Sequence, residues 1–210
     1  MFDLPLRVLK ENLLGFFVPM FTGTHPNTIT LISGIFGIVC ACCCIFEYWN
    51  LALGMWWINR FLDGMDGVVA RKFGLSSDFG GYLDILVDFF IYALIPIAIG
   101  VGEDRNVVWI AIAVMEGVFF VNAASLFQLA AILEKNKFGS KRNGELTSVT
   151  MPPSLIEGAE TVIFFSAFIV FHRSAELLFL LFAFLVLITA IYRLVWASKR
   201  LNPKNRKSCW

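Results

Sequence analysis

Six long apolar stretches constrain the fold of this chain more than any other feature of its sequence. Each holds about 20 mainly apolar residues, the number that a helix needs to cross about 30 Å of hydrocarbon. Hydrophobic residues make up 58% of the 210 residues and charged residues 16%, whereas an ordinary soluble domain contains about 45–50% and about 25%. The sequence therefore predicts an all-α integral membrane protein with six transmembrane helices. The predicted spans are residues 27–48, 51–72, 79–101, 107–133, 155–171 and 175–197.

The two ends of the chain flank this predicted bundle. Residues 1–24 mix apolar and charged side chains at helical spacing, which is typical of an amphipathic helix lying in the membrane interface. A short, poorly ordered leader is the alternative. Residues 26–200 form the six-helix bundle and residues 201–210 a cytoplasmic tail. Because no internal repeat or linker divides the sequence, we expect a single domain over residues 1–210.

Most basic residues lie on one side of the predicted bundle. Only Arg105 and Arg173 fall in loops on the other side. Because loops rich in Lys and Arg stay in the cytoplasm, we expect both termini and the turn between the second and third spans to be cytoplasmic. A net charge of +1 provides no general attraction to nucleic acid, so no such partner is predicted. The basic residues assigned to the cytoplasmic side are Arg7, Lys10, Arg71, Lys72, Lys135, Lys137, Lys141, Arg142, Lys199, Arg200, Lys204, Arg206 and Lys207.

Four aspartates interrupt the second and third apolar stretches. Asp63 and Asp66 are three positions apart and Asp84 and Asp88 are four apart, so each pair shares a helical face. A hairpin turning near Leu75 places residues equally far from the turn at equal depth, which sets Asp66 opposite Asp84 and Asp63 opposite Asp88. The four carboxylates can therefore converge about 10–15 Å inside the cytoplasmic boundary, at about 1.5 Å per residue.

Such a set of carboxylates needs positive charge beside it. Mutual repulsion and loss of water both disfavour the ionised forms, and divalent cations supply compensation. An all-oxygen set selects a hard ion such as Mg²⁺ or Mn²⁺ over Zn²⁺. Because charged groups at membrane depth are functional by default, we expect this set to be an active site.

Small residues surround the aspartates. Gly64, Gly67 and Ala70 follow on the second span, and Gly80 opens the third, so a large polar substrate can approach the backbone. Arg71 lies one helical turn beyond Gly67, where its guanidinium can hold a phosphate with two hydrogen bonds. Close helix packing is the alternative explanation for the small residues.

These residues form a specific pattern: D-x-x-D-G-x-x-A-R, eight residues, then G-x-x-x-D-x-x-x-D. The pattern resembles the signature of the CDP-alcohol phosphatidyltransferase family, and six spans after an interfacial helix resemble that family's architecture. The upstream HPNTIT, with Asn27 and Thr30, is similar to the start of the family's first helix. The signature positions are Asp63, Asp66, Gly67, Ala70, Arg71, Gly80, Asp84 and Asp88.

The resemblance implies transfer of a phosphatidyl group from a CDP-linked lipid, usually CDP-diacylglycerol, to a small polar alcohol, with release of CMP. It implies two Mg²⁺ or Mn²⁺ ions, with Asp88 both close to the metals and acting as general base. It also implies a homodimer working on membrane lipids in phospholipid biosynthesis. The metal residues so implied are Asp63, Asp66, Asp84 and Asp88, and those that contact the CDP portion are Asp66, Gly67, Ala70, Arg71, Gly80, Asn27 and Thr30.

The acceptor alcohol is constrained less tightly. Family members that use glycerol phosphate or inositol acceptors commonly carry Lys or Arg after the last signature aspartate, where this chain has Phe89. The segment SSDFGGYLDILVDFFIYALIP is similar to bacterial phosphatidylserine synthases, which favours serine; glycerol phosphate, inositol or its phosphate, and other polar alcohols stay open. Candidate acceptor contacts are Glu157, Glu160 and Arg193.

Two other classes of protein are weighed against the enzyme. Intramembrane carboxylates also mark proton- or cation-coupled transporters. Transporters generally bind near the midplane and often show paired repeats with broken helices, and the sequence shows neither. A scaffold without activity would be expected to have lost at least one of the four aspartates. The enzyme is therefore the favoured prediction.

Overall fold

The computed structural model of the chain describes residues 14–135 and 158–201, and within those ranges every regular element is helical. A short 3-10 helix, Val18–Phe21, precedes the first long helix, and another, His172–Ser174, precedes the last. The long helices are α1 (Pro26–Ile45), α2 (Trp49–Lys72), α3 (Asp78–Glu103), α4 (Asn106–Lys135), α5 (Gly158–Val170) and α6 (Ala175–Leu201). Each predicted span corresponds to one of these helices, with most boundaries within three residues.

Within residues 14–135 and 158–201, four helical segments are long and apolar enough to cross a membrane: Pro26–Ile45, Asp78–Glu103, Asn106–Lys135 and His172–Lys199. The chain is a multi-pass membrane protein. Helix α2 does not meet the same criterion, because its second half contains four charged side chains. The described part of α5 has only 13 residues. Crossing by α2 and α5, and with it the count of six, stays a prediction.

The predicted interfacial helix over residues 1–24 is only partly covered. Residues 1–13 lie outside the described residues. In the described remainder, Val18 of the 3-10 helix is buried against Ile29 of α1 and Met65 and Val69 of α2, while Phe16 and Met20 are exposed. This segment is thus joined to the first two helices through an apolar contact.

The chain divides into two compact units, Met1–Gly102 and Glu103–Trp210. The predicted single domain over residues 1–210 stays a prediction. Helices α1 and α2 pack along each other in the first unit, and α4 packs along α6 in the second. All four signature aspartates lie in the first unit.

Polar contacts at the helix ends and in the helix interface position α1 in the first unit. The ring of His25 accepts a hydrogen bond from the backbone N–H of Asn27 at 3.2 Å, and Pro26 occupies the first turn, so both an N-cap and a proline favour a helix start here. Further along, Asn59 of α2 donates to the carbonyl oxygen of Ser33 at 2.8 Å. The Asn59 contact holds α1 against the middle of α2, one turn before Asp63.

Aromatic side chains pack together in the described part of the second unit. Its rings pack at centroid distances of 4.7 to 6.2 Å, the range in which edge-to-face and offset pairs are favourable. At one end, Arg105 donates to both carboxylate oxygens of Glu176, at 3.1 and 2.8 Å. This hydrogen bonding raises the pKa of Arg105. The aromatic residues are Phe119, Phe164, Phe165, Phe168, Phe179 and Phe182.

Candidate active site

Three of the four signature aspartates come together between α2 and α3. Carboxylate oxygens of Asp63, Asp84 and Asp88 all lie within 4.8 Å of one another. A short turn joins the helices, with Gly74 at a φ of +66°, a left-handed conformation that glycine adopts without strain. The turn places the C-terminal half of α2 beside the N-terminal half of α3, and this pairing brings the carboxylates together. Three hard oxygen donors at this separation suit a divalent cation such as Mg²⁺ or Mn²⁺.

The fourth aspartate, Asp66, is directed toward α1. Its Oδ2 accepts a hydrogen bond from Thr30 Oγ1 at 2.5 Å, and both residues are buried. Asp66 is not among the three residues whose carboxylates lie within 4.8 Å. The structure thus brings together three of the predicted metal residues and joins the fourth to Thr30, one of the residues predicted to contact CDP.

Close approaches at two glycines bring other predicted CDP contacts together. A Cβ atom added at Gly80 would lie 3.1 Å from Asn27 Oδ1 and 3.1 Å from Ser77 Oγ. A Cβ atom at Gly67 would lie 3.2 Å from Nη1 of Arg71. Glycine therefore allows the amide of Asn27 to approach the start of α3 and the Arg71 guanidinium to lie over the α2 backbone. Ala70, half-buried, lies one position before Arg71.

A cation that the sequence interpretation did not single out lies beside the carboxylates. Arg60 is buried, and its Nη2 donates to Asp88 Oδ1 at 2.8 Å. Its Nη1 donates to the Tyr92 hydroxyl at 2.9 Å and lies 3.6 Å from Asp63 Oδ2. The sequence did contain a signal, because Arg60 is an intramembrane charge three positions before Asp63 and so shares its helical face.

Aromatic and amide side chains hold Arg60 in place. Its guanidinium carbon lies 4.7 Å from the ring centroid of Trp56 and 5.2 Å from that of Tyr92, within the range of a cation–π contact. Its Nε donates to Asn59 Oδ1 at 2.7 Å. Asn59 in turn donates through Nδ2 to the carbonyl oxygen of Ser33. A continuous set of contacts therefore runs from α1 through Arg60 to Asp88.

The predicted acceptor contacts fall in the second unit. Arg193 is buried and donates through Nη1 to the carbonyl oxygen and the Oδ1 of Asn122, both at 2.9 Å. Glu160 is exposed in the first turn of α5. Glu157 lies outside the described residues. Their roles stay predictions.

The fold and the aspartate cluster are those of a multi-pass membrane protein with a candidate metal site, and comparison with known proteins identifies its family. The sequence profile described as CDP-alcohol phosphatidyltransferase matches residues 23–196. The chain belongs to this family. It is accordingly an enzyme that transfers substituted phosphate groups, and the transporter alternative is not favoured.

Two curated relatives cover different shares of the chain. The inner membrane protein YnjF of Escherichia coli (strain K12) is 30% identical over 147 residues, which is 68% of this chain and 68% of the relative. A phosphatidylinositol phosphate synthase of Cutibacterium acnes is 33% identical over 99 residues, 45% of this chain and 47% of that protein.

A solved structure is similar in fold. It is a crystal structure of Mycobacterium tuberculosis phosphatidylinositol phosphate synthase (PgsA1) with CDP-DAG bound. The TM-score is 0.67 at 17% identity, and the match covers 90% of this chain and 93% of the other. At that identity the likeness concerns the fold alone.

Proposed function

We propose that the protein transfers a phosphatidyl group from CDP-diacylglycerol to a small polar alcohol and releases CMP, as a step in phospholipid biosynthesis. The observation that carries the proposal is the convergence of Asp63, Asp84 and Asp88 within 4.8 Å in a chain of this family. The solved relative with CDP-DAG bound supports the choice of donor. A site at shallow membrane depth suits such a donor, whose acyl chains need hydrocarbon while its diphosphate needs cations and water.

In this proposal the carboxylates of Asp63, Asp66, Asp84 and Asp88 hold two Mg²⁺ or Mn²⁺ ions. The donor atoms fit, because all are hard oxygens and three of the residues are already adjacent. When bound, such ions neutralise the diphosphate and polarise the phosphorus that is attacked. The hydroxyl of Thr30 holds the Asp66 carboxylate toward α1, which places a ligand at the side where CDP is expected.

The CDP portion of the donor is assigned to the surface between α1 and the α2–α3 turn. Arg71 offers a planar pair of N–H donors to a phosphate, and its guanidinium lies over Gly67, the residue that follows Asp66. Gly80 leaves room for the approach of Asn27. The assigned contacts are Asn27, Thr30, Asp66, Gly67, Ala70, Arg71 and Gly80.

Asp88 acts as the general base in the proposed reaction. Its carboxylate takes the proton of the acceptor hydroxyl as the new oxygen–phosphorus bond forms at the phosphate attached to diacylglycerol. The bond between that phosphorus and the oxygen of CMP breaks, and CMP leaves with the electron pair. Proton removal by a positioned side chain contributes about 10²–10⁴-fold to the rate of such reactions.

Serine is the first candidate acceptor and inositol phosphate the second. Serine is favoured by the uncharged Phe89 after Asp88, which supplies no cation for an acceptor phosphate. Inositol phosphate is favoured by the names of the Cutibacterium acnes relative and the solved relative, both phosphatidylinositol phosphate synthases. Glu157, Glu160 and Arg193 are the proposed acceptor contacts in either case.

The proposal extends to topology and assembly. Both termini and the active site face the cytoplasm, because the positive-inside rule assigns the basic loops to that side. The enzyme is a homodimer. Cysteine labelling of the termini in sealed vesicles, and light scattering of the purified protein corrected for detergent, test these two statements.

A panel of acceptors tests the proposed function. Purified protein in lipid nanodiscs is incubated with CDP-diacylglycerol and, in turn, serine, glycerol 3-phosphate, inositol and inositol phosphate, with Mg²⁺, Mn²⁺ or a chelator. We expect CMP release that requires both a divalent ion and one acceptor, with formation of the matching phospholipid. Asp84→Asn protein is the matched control for contaminating activity. Cation flux in liposomes without CMP release with any acceptor would overturn the proposal.

A further inference from the structure

The guanidinium of Arg60 contacts other protein groups both along its edge and beside its plane. It donates to Asp88, Tyr92 and Asn59 at 2.8, 2.9 and 2.7 Å. The rings of Trp56 and Tyr92 lie 4.7 and 5.2 Å from the guanidinium carbon. Contacts on its edge and beside its plane therefore hold the guanidinium, and side chains of both α2 and α3 determine its orientation.

The bond to Asp88 selects one carboxylate oxygen. Arg60 Nη2 binds Oδ1, and this contact fixes the rotation of the carboxylate about its terminal torsion, which is otherwise broad for aspartate. The Tyr92 hydroxyl accepts a hydrogen bond from Nη1. Because Tyr92 lies four positions after Asp88, both terminal nitrogens of the guanidinium bind groups on α3. A guanidinium can make these two bonds at once because its donors are coplanar and fixed, whereas the single ammonium of lysine presents no such fork.

Stability alone is a weak reason to retain this arrangement. A buried ion pair commonly contributes no more to stability than apolar side chains of similar volume, because the desolvation penalty offsets the attraction. Arg60 is also buried next to the carboxylates of Asp63 and Asp88. A charged side chain in such an apolar surrounding is costly and commonly indicates a functional site. The arrangement is therefore better explained by an effect on the chemistry of Asp88 than by an effect on folding.

We propose that Arg60 is a positioning residue for the transfer reaction: it holds the Asp88 carboxylate in the orientation that receives the proton of the acceptor alcohol, with Tyr92, Trp56 and Asn59 fixing Arg60 itself. This inference rests on the proposed function, in which Asp88 is the base. Arg60 contacts neither donor nor acceptor in this role. Its removal should change turnover while leaving donor affinity in place.

Arg60→Lys is the direct test. The positive charge is kept and the planar pair of donors is lost. We expect kcat to fall by about 30-fold, less than the 10²–10⁴-fold typical of losing general-base catalysis altogether. The KM for CDP-diacylglycerol should change by less than about threefold, since uniform binding is not affected. The matched control is Arg105→Lys, because Arg105 also donates to a carboxylate on a helix, through both arms of its fork to Glu176 of α6. It should leave kcat within about twofold, as expected for a substitution outside the reacting groups.

A double-mutant cycle decides whether Arg60 acts through Asp88. Residues that work as a unit have non-additive effects, so in the Asp88→Asn background we expect Arg60→Lys to lower kcat by less than about threefold. The same loss in both backgrounds would overturn the proposal, as would a loss seen mainly in the donor KM. Melting temperature and gel filtration verify that each variant folds.

A second variant serves if Arg60→Lys does not fold. Tyr92→Phe removes only the hydroxyl that receives Nη1, and it should lower kcat by about threefold to tenfold in the wild type and not in Asp88→Asn, by the same non-additivity. An equal effect in both backgrounds would overturn the proposal. The experiments distinguish failure of the two proposals. If the wild type is active but the effects of the two substitutions are additive, only the role of Arg60 is refuted. If the wild type releases no CMP with any acceptor, the proposed function is refuted and this inference with it.

Discussion

Each compact unit contains an arginine whose guanidinium binds a carboxylate on another segment, and the two pairs lie in different surroundings. Arg60 and Asp88 in the first unit have side chains that are 6% and 24% exposed, at an N···O distance of 2.8 Å. Arg105 and Glu176 in the second unit are 38% and 19% exposed at the same distance. The distance alone therefore does not distinguish a functional pair from a structural one.

The neighbours of the two pairs distinguish them. Around Arg60 the nearest charged groups include a second carboxylate, Asp63, at 3.6 Å, and Asp63 is itself adjacent to Asp84 and Asp88. Three carboxylates are thus gathered beside one guanidinium, and oxygen ligands of this kind bind divalent cations. The Arg105 guanidinium lies 3.4 Å from the Glu103 carboxylate as well as beside Glu176, and Glu103 also contacts the ring of His172. An excess of one sign at depth indicates a site that binds a counter-ion.

The largest effect is expected from removing a carboxylate of the first unit. Asp63→Asn or Asp84→Asn replaces a strong ligand for a hard ion with a weaker one. The Mn²⁺ affinity should fall by at least about 100-fold, because even changes to groups behind the ligands cost 10–100-fold, and CMP release should be lost. Calorimetric titration of Mn²⁺ and the CMP assay measure both. Near-normal turnover and metal dependence in both variants would exclude a metal site at these residues.

Asp88→Asn should separate binding from chemistry. At saturating Mn²⁺ we expect kcat to fall by about 100-fold or more, as for the loss of a general base, while the affinity for the CDP-lipid is largely retained. Calorimetry with the donor provides the affinity and single-turnover assays the rate. Full recovery of turnover at high metal would instead make Asp88 a metal ligand only, with Glu157 the next candidate base.

Arg71→Lys should affect the donor and not the acceptor. The lost hydrogen bond to a charged phosphate is worth about 1.5–3 kcal/mol, so the KM for CDP-diacylglycerol should rise about tenfold or more, with the acceptor KM little changed. Steady-state kinetics with each substrate varied in turn measure the difference. An equal rise for both substrates would place Arg71 outside the CDP contacts.

The smallest effect is expected from the exposed pair of the second unit. Glu176→Gln removes the charge that Arg105 binds, and such partly exposed pairs contribute about 0.2–1 kcal/mol. The melting temperature should therefore fall by a few degrees at most, and kcat should stay within about twofold of wild type. A loss of activity as large as that of Asp88→Asn would show that the two pairs do not differ in the way described above.

The sequence predicted the helices and the signature well because both depend on local spacing. Apolar length sets each helix, and the spacing of three or four residues sets the shared face of each aspartate pair. Spacing within one helix does not tell which neighbouring helix each aspartate side chain faces. Residues three positions apart are offset by about 60° at 3.6 residues per turn, and this offset carries Asp66 away from Asp63 and toward Thr30 on α1.

Two features could be identified only from the folded structure. The partners of Arg60 lie 28 and 32 residues away on α3, so no local pattern contains them, although an arginine within an apolar stretch was a sign of a buried partner. The division into two compact units at Gly102 and Glu103 is also absent from the sequence pattern. It follows from which helices pack together, and no Pro- or Gly-rich linker marks it.

The separation between Arg60 and its partners has a consequence for synthesis. Tyr92 is made 32 residues after Arg60, and at about 5–20 residues per second this takes about 2–6 s. During that interval the rest of α2 is made first, then Asp84 and Asp88, and the Tyr92 hydroxyl comes last. The Arg60 guanidinium is therefore made before its partners, and it can gain its hydrogen bonds to Asp88 and Tyr92 only once the first half of α3 has been synthesised.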